Sequence, residues 1–238
     1  MTPEEVKQAE EAKLYIRANR RLLIQTFANP ATHKKTEHPV SIFMAGSPGA
    51  GKTELSKRII EALFQQPGDN PVRIDADEIR AMIDGYTGDN AHVFQGASAR
   101  GVEILFDNVL QHNMNVILDG TFALKRKGFS NIERSLSHGR LVEIYYIFQE
   151  PEIAWDFTKK REVLERRRIT KEVFVKAFFA AHENIVEAKA RFGDNIKLNV
   201  VIKDVRDPSN YQIYLNIASV DKLISWKYSH DKLIQELT

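Results

Sequence analysis

Gly46-Ser47-Pro48-Gly49-Ala50-Gly51-Lys52-Thr53 fits the pattern G-x-x-x-x-G-K-[ST] without a mismatch. Glycines let the chain curl until successive backbone N–H groups point at one anion, and a helix starting near Lys52 adds the positive end of its dipole. Lys52 supplies a mobile cation for a transferred phosphate, and the Thr53 hydroxyl is a ligand for Mg²⁺. Together these residues predict a cradle for the phosphate chain of ATP.

Two further acidic places suit such a cradle. Val116-Ile117-Leu118-Asp119 is an apolar strand ending in an acid, which makes Asp119 the second candidate for holding Mg²⁺. Asp75-Ala76-Asp77 follows directly on the strand after the cradle's helix, where a carboxylate can take the proton of an attacking hydroxyl. The plainer reading is capping: Asp75 with Glu78 three places on resembles a capping box, and Asp77 favours the helix dipole. One Asp can cap while the other acts as base.

Phosphoryl transfer develops charge on oxygens that a metal does not fully cover, so arginines are expected on a covering element. Lys159-Lys160-Arg161 and Arg166-Arg167-Arg168 lie about two helical turns apart. A lid over 158–170 is one reading; a solvated face and an RNA-binding patch are the others.

The elements that must position these groups alternate. Short apolar runs at 40–45, 72–75, 115–119, 141–148 and 198–202 read as strands, with 211–217 as an edge strand. Helical periodicity occupies 52–64, 78–83, 97–111, 130–137, 153–167 and 171–192, and a closing helix is predicted over 220–237 with Ser219 as its cap. This alternation implies an α/β fold of the P-loop NTPase kind: three layers, α/β/α, around a mostly parallel sheet of five or six strands. Such a sheet binds its ligand at the carboxyl ends of the strands. Residues 1–38 read as one or two helices capped at Thr2, broken at Asn29-Pro30 and joined by a polar connector to a kinase domain over 39–238. Their regular apolar face favours packing as part of the fold over a built-in inhibitor.

Composition narrows the class. The 238 residues carry a net charge of +2, which gives no general attraction to nucleic acid or an acidic membrane. The lack of cysteine excludes disulfides, a thiolate zinc site and a cysteine nucleophile. No basic-then-apolar leader opens the chain, and no apolar run approaches the ~20 residues that span a bilayer, so the cytoplasm is the expected location. An N-K-x-D element for guanine is missing, as is the L-S-G-G-Q signature of transporter ATPases, which weakens both of those readings and favours a kinase built on the second acidic motif, Asp75-Ala76-Asp77. His92, His112 and His138 lack metal-ligand spacing, and Phe174, Phe178 and Phe179 form a core stripe.

Over most of 41–215 the chain resembles the zeta-toxin-like kinases of bacterial toxin–antitoxin systems. The likeness rests on Gly46 to Thr53, Asp75-Ala76-Asp77-Glu78-Ile79-Arg80, Ala97-Ser98-Ala99-Arg100-Gly101-Val102-Glu103, Leu118-Asp119-Gly120-Thr121 and the paired arginine segments. The resemblance implies an adenylate-kinase-like fold, ATP and Mg²⁺, and UDP-N-acetylglucosamine or another nucleotide sugar as acceptor. It makes Asp77 the base and Lys52 the phosphate contact, and it assigns the amino sugar to Glu103 and Thr121. Asp75 and Arg100, in the matching segments, join these as substrate-binding candidates. Arg161 and Arg168 match the pair that clamps the transferring phosphate, with a register blurred by Lys160, Arg166 and Arg167. A helical antitoxin that occludes the nucleotide site is the implied protein partner. The best-known members carry His-Pro after the acidic pair, whereas this chain continues Ala81-Met82-Ile83-Asp84-Gly85-Tyr86, so residues 85–90 are expected to line a different acceptor pocket. Other acceptors, such as a nucleoside or antibiotic hydroxyl, stay open, as does an ATP-dependent RNA-binding module.

Overall fold

The computed structural model describes residues 1–65, 69–166, 168–207 and 209–238. The chain opens with α1 (Pro3–Ala18) and α2 (Arg20–Phe27). Thr2 caps α1 reciprocally: its hydroxyl accepts the Glu5 N–H at 3.2 Å, and the Glu5 carboxylate accepts the Thr2 N–H at 2.7 Å. There follow β1 (Val40–Ala45), α3 (Lys52–Leu63), β2 (Val72–Asp75), α4 (Ala76–Ala81), α5 (Ala91–His112), β3 (Val116–Asp119) and α6 (Lys125–Ser137). The second half contains β4 (Leu141–Phe148), α7 (Pro151–Glu165), α8 (Lys171–Phe192), β5 (Lys197–Lys203), β6 (Tyr211–Tyr214) and α9 (His230–Glu236).

The strands form one six-stranded sheet in the order β2-β3-β1-β4-β5-β6, parallel except for β6. Successive side chains of β1 leave opposite faces. Ile42 and Met44 join Leu55 and Ile59 of α3 in one buried cluster, while Phe43 and Ala45 join Phe106, Phe129 and Phe174 in the other. Helices therefore cover both faces, which is why β4 is almost uniformly apolar. Ala9, Ala12, Ile16 and Leu23 of α1 and α2 are buried in the larger cluster.

Three expectations fail. The segment 220–229 is not helical: one turn closes where the Leu223 and Ile224 amides donate to Val220 O, and a helix forms only at α9, after Ser229 rather than Ser219. The apolar spacing there is met instead by a strap whose Trp226 stacks on His182 and Phe178 of α8. The edge strand stops at Tyr214, because Asn216 takes a left-handed φ of 47° and its amide turns to Asn199 Oδ1 at 3.0 Å. Residues 85–90 do not line the main cavity. Asn90 closes that loop by donating to Gly85 O at 2.8 Å, and Tyr86 packs edge-on against Phe94. Arg167, expected at the end of a helix, lies outside the described residues.

Candidate active site

A cavity of about 820 Å³ opens at the carboxyl ends of β1, β2 and β3. The loop after β1 is its floor. Gly46, Gly49 and Gly51 take φ of 140°, 72° and 85°, conformations that suit glycine. Space demands glycine as well: a methyl group on Gly49 would overlap the carbonyl of Ala154 on α7, and one on Gly46 would come 2.5 Å from Ile147 O. The Gly46 amide donates to Thr121 O at 3.2 Å, which ties the loop to the end of β3.

Lys52 opens α3 and folds back, its Nζ donating to Ser47 O at 2.6 Å. Burial pushes its ammonium down to about 8, and Arg161 adds to that push, while Asp119, Asp75 and Glu54 oppose it. Thr53 lines the cavity beside it. Asp119 ends β3 in register with Asp75 at the end of β2. Ser56 Oγ lies 2.9 Å from Asp119 Oδ2, and the same Oδ2 accepts Arg73 Nε at 3.1 Å and lies 2.9 Å from Nη2 in an ion pair.

Asp75 caps α4, but not as a capping box: its Oδ1 accepts the Asp77 N–H at 2.8 Å, and Glu78 turns to Arg73 instead of reaching back. Burial raises the Asp75 carboxyl to about 6, with the Asp119 and Asp77 charges adding and the Asp77 amide and Arg73 opposing. Asp77 sits in the first turn of α4, paired with Arg80 Nη1 at 2.8 Å, and both line the cavity.

The cavity thus brings together Pro48, Gly49, Gly51, Lys52, Thr53, Asp75, Asp77, Asp119, Thr121 and Arg161. Gly46, Ser47 and Ala50 shape the loop from behind. Arg168 does not line the cavity: its side chain is 80% exposed and its Nε lies 3.9 Å from Glu162 Oε1. Arg100 is exposed on α5. Glu103 is held by Lys127 at 2.8 Å and Arg134 at 3.5 Å, so Lys127, not Glu103, meets the cavity.

ATP and Mg²⁺ suit these residues. Gly46, Gly49 and Gly51 pack too closely on their neighbours to carry side chains, and Thr53 and Asp119 offer the hard oxygen donors that Mg²⁺ prefers.

Residues 25–227 match the family described as Zeta toxin. The chain belongs to the zeta toxin family. The family's members are ATP-dependent, kinase-like phosphotransferases on a P-loop fold. Among solved structures, one of the PezAT chromosomal toxin–antitoxin system of Streptococcus pneumoniae superposes with a TM-score of 0.66 at 21% identity, covering 99% of this chain and 93% of that one. The AvrRxo1-ORF1:AvrRxo1-ORF2 complex with ATP gives a TM-score of 0.59 at 14% identity over 90% of this chain and 67% of that one. The same complex with sulphate ions gives 0.60 at 15%, covering 99% and 74%. At these identities the likeness is one of fold. No curated protein matches the chain. No helix among the described residues is long and apolar enough to cross a membrane.

Within this zeta toxin scaffold, Arg73 and Lys127 also belong to the site, Arg73 against Asp119 and Lys127 on the cavity wall, although neither falls in a motif. A signal for Arg73 existed: in Val72-Arg73-Ile74-Asp75 a cation and an acid alternate in a strand otherwise apolar, which places both on one face.

Proposed function

We propose that the chain transfers the γ-phosphoryl group of ATP to a hydroxyl of a nucleotide sugar, with UDP-N-acetylglucosamine the first candidate. One observation carries the reading: Lys52 and Thr53 of the phosphate loop share a cavity with Asp77 and Asp119, on three neighbouring strand ends. The loop amides and Lys52 bind the phosphate chain, and Thr53 and Asp119 would hold Mg²⁺, which would neutralise phosphate charge. Asp77 accepts the proton of the acceptor hydroxyl. The freed oxygen attacks the γ-phosphorus, the bond to the bridging oxygen breaks, and ADP leaves, with Arg161 offsetting the developing charge. Thr121 and Asp75 orient the acceptor. Arg168 would act only if it moved into the cavity, and Glu103 and Arg100 only from its rim. A cytoplasmic location and a helical antitoxin as protein partner belong to the same reading.

A second acceptor class, a nucleoside or antibiotic hydroxyl, is favoured by one feature: Glu103, the family's amino-sugar residue, is engaged by Lys127 and Arg134. Purified protein with γ-labelled ATP, Mg²⁺ and a panel of nucleotide sugars, nucleosides and antibiotics decides between them by the mass of the labelled product. No labelled product from any acceptor, together with a salt-sensitive RNA affinity, would replace the kinase with an RNA-binding module.

A further inference from the structure

Arg73 lies behind the cavity and touches the residues that line it. Its guanidinium, a planar fork of five donors, is shared among four acceptors. Nε donates to Asp119 Oδ2 at 3.1 Å and to Ser56 Oγ at 3.2 Å. Nη2 bridges Asp119 Oδ2 at 2.9 Å and Asp75 Oδ2 at 2.8 Å, and Nη1 donates to Glu78 Oε1 at 2.5 Å. The side chains of Arg73, Asp75 and Asp119 are 12%, 15% and 2% exposed, so this is not a solvent-loosened surface pair. A continuous path of bonds therefore runs from Ser56 on α3 through Asp119 on β3 and Arg73 on β2 to Asp75, whose Oδ1 holds the Asp77 amide. Helix α4 has only six residues, too few to hold its own shape without a cap.

We infer that Arg73 is a positioning residue that locks Asp119 and the first turn of α4, which carries Asp77, into one unit. Metal-side acid and base are then spaced before substrate arrives, which saves reorganisation during transfer. Lysine cannot replace it, since a single ammonium has no planar fork to span three carboxylates. The catalytic half of the inference rests on the reading of Asp77 as base; the structural half does not.

Arg73→Lys tests both halves. Hydrogen–deuterium exchange of amides 76–81 is expected to speed up about tenfold or more while β1 and β4 stay protected. The kcat is expected to fall about tenfold or more, with the ATP KM within about twofold. Unchanged exchange in α4, or a loss confined to KM, overturns the role. Asp75→Asn is the second variant: it should also speed exchange in α4, and adding Arg73→Lys to it should have little further effect. Additive effects overturn the coupling. A wild-type protein that transfers no phosphate removes Asp77 as base, whereas the exchange result still decides whether Arg73 holds α4.

Discussion

Lys52 Nζ donates to the carbonyl of Ser47 at 2.6 Å, so the cation of the phosphate loop is folded onto the loop that carries it. Its folded-state value of about 8 lies below the ordinary 10.5. Between those values the unfolded chain binds the extra proton, so stability should rise as pH climbs from about 8 to 10.5 and be lowest below 8. Lys52→Met removes the buried ammonium and should melt about 2–4 °C higher than wild type at pH 7, with the gap closing above pH 10. Calorimetry at both pH values checks it.

The same proton governs ligand binding. ATP affinity should weaken by about an order of magnitude between pH 7 and pH 9.5 as Lys52 discharges, and Lys52→Met should bind weakly with no such slope. Titration calorimetry across that range reads the effect directly.

Asp77→Asn keeps the shape of the first turn of α4 and removes the proton acceptor. Transfer to the acceptor should fall by about 10²–10⁴-fold, with ATP affinity within about twofold of wild type. A fully active variant would take Asp77 out of the mechanism.

Gly49→Ala sets a methyl against the Ala154 carbonyl and within 2.8 Å of Thr158 Oγ1, at a φ of 72°. The loop and α7 cannot both keep their places. A stability loss of about 1–3 kcal/mol and at least a tenfold loss of ATP affinity are expected, measured by urea unfolding and nucleotide titration.

His182 is stacked on Trp226 at 3.8 Å between ring centroids, with its Nε2 3.5 Å from Asp221 Oδ1. Burial holds its pKa below the ordinary 6.5, and Asp221 opposes this. Because the folded value is depressed, the contribution of neutral His182 is complete above pH 6.5 and is lost as pH falls below it. His182→Gln should flatten the dependence of the urea midpoint between pH 7.5 and 5.5. An unchanged slope would assign the acid sensitivity to another group.

The phosphate loop, the strand-ending acid and the alternation of strands and helices were legible in the residues themselves, because each depends on local rules. Gly46, Gly49 and Gly51 carry a backbone shape that few other residues tolerate, and periods of two and 3.6 separate strand from helix. The same locality explains the failure at 220–229. Helical spacing of apolar residues was present, but the ring contacts that Trp226 and Tyr228 make with Phe178 and His182 of α8 come from elsewhere in the chain, and local spacing does not encode them.

What only the tertiary structure decided is who meets whom. Strand order sets β3 between β2 and β1, which puts Asp119 beside Asp75 and gives Arg73 three carboxylates to hold. No spacing in the chain encodes that order. Arg161 and Arg168 look equivalent along the sequence, yet only Arg161 faces the cavity, because α7 ends at Glu165 and the chain turns at Arg166 with a φ of 54°. Local chemistry is written in neighbouring residues; contacts between distant ones are fixed by the sheet's order and the direction in which each element ends.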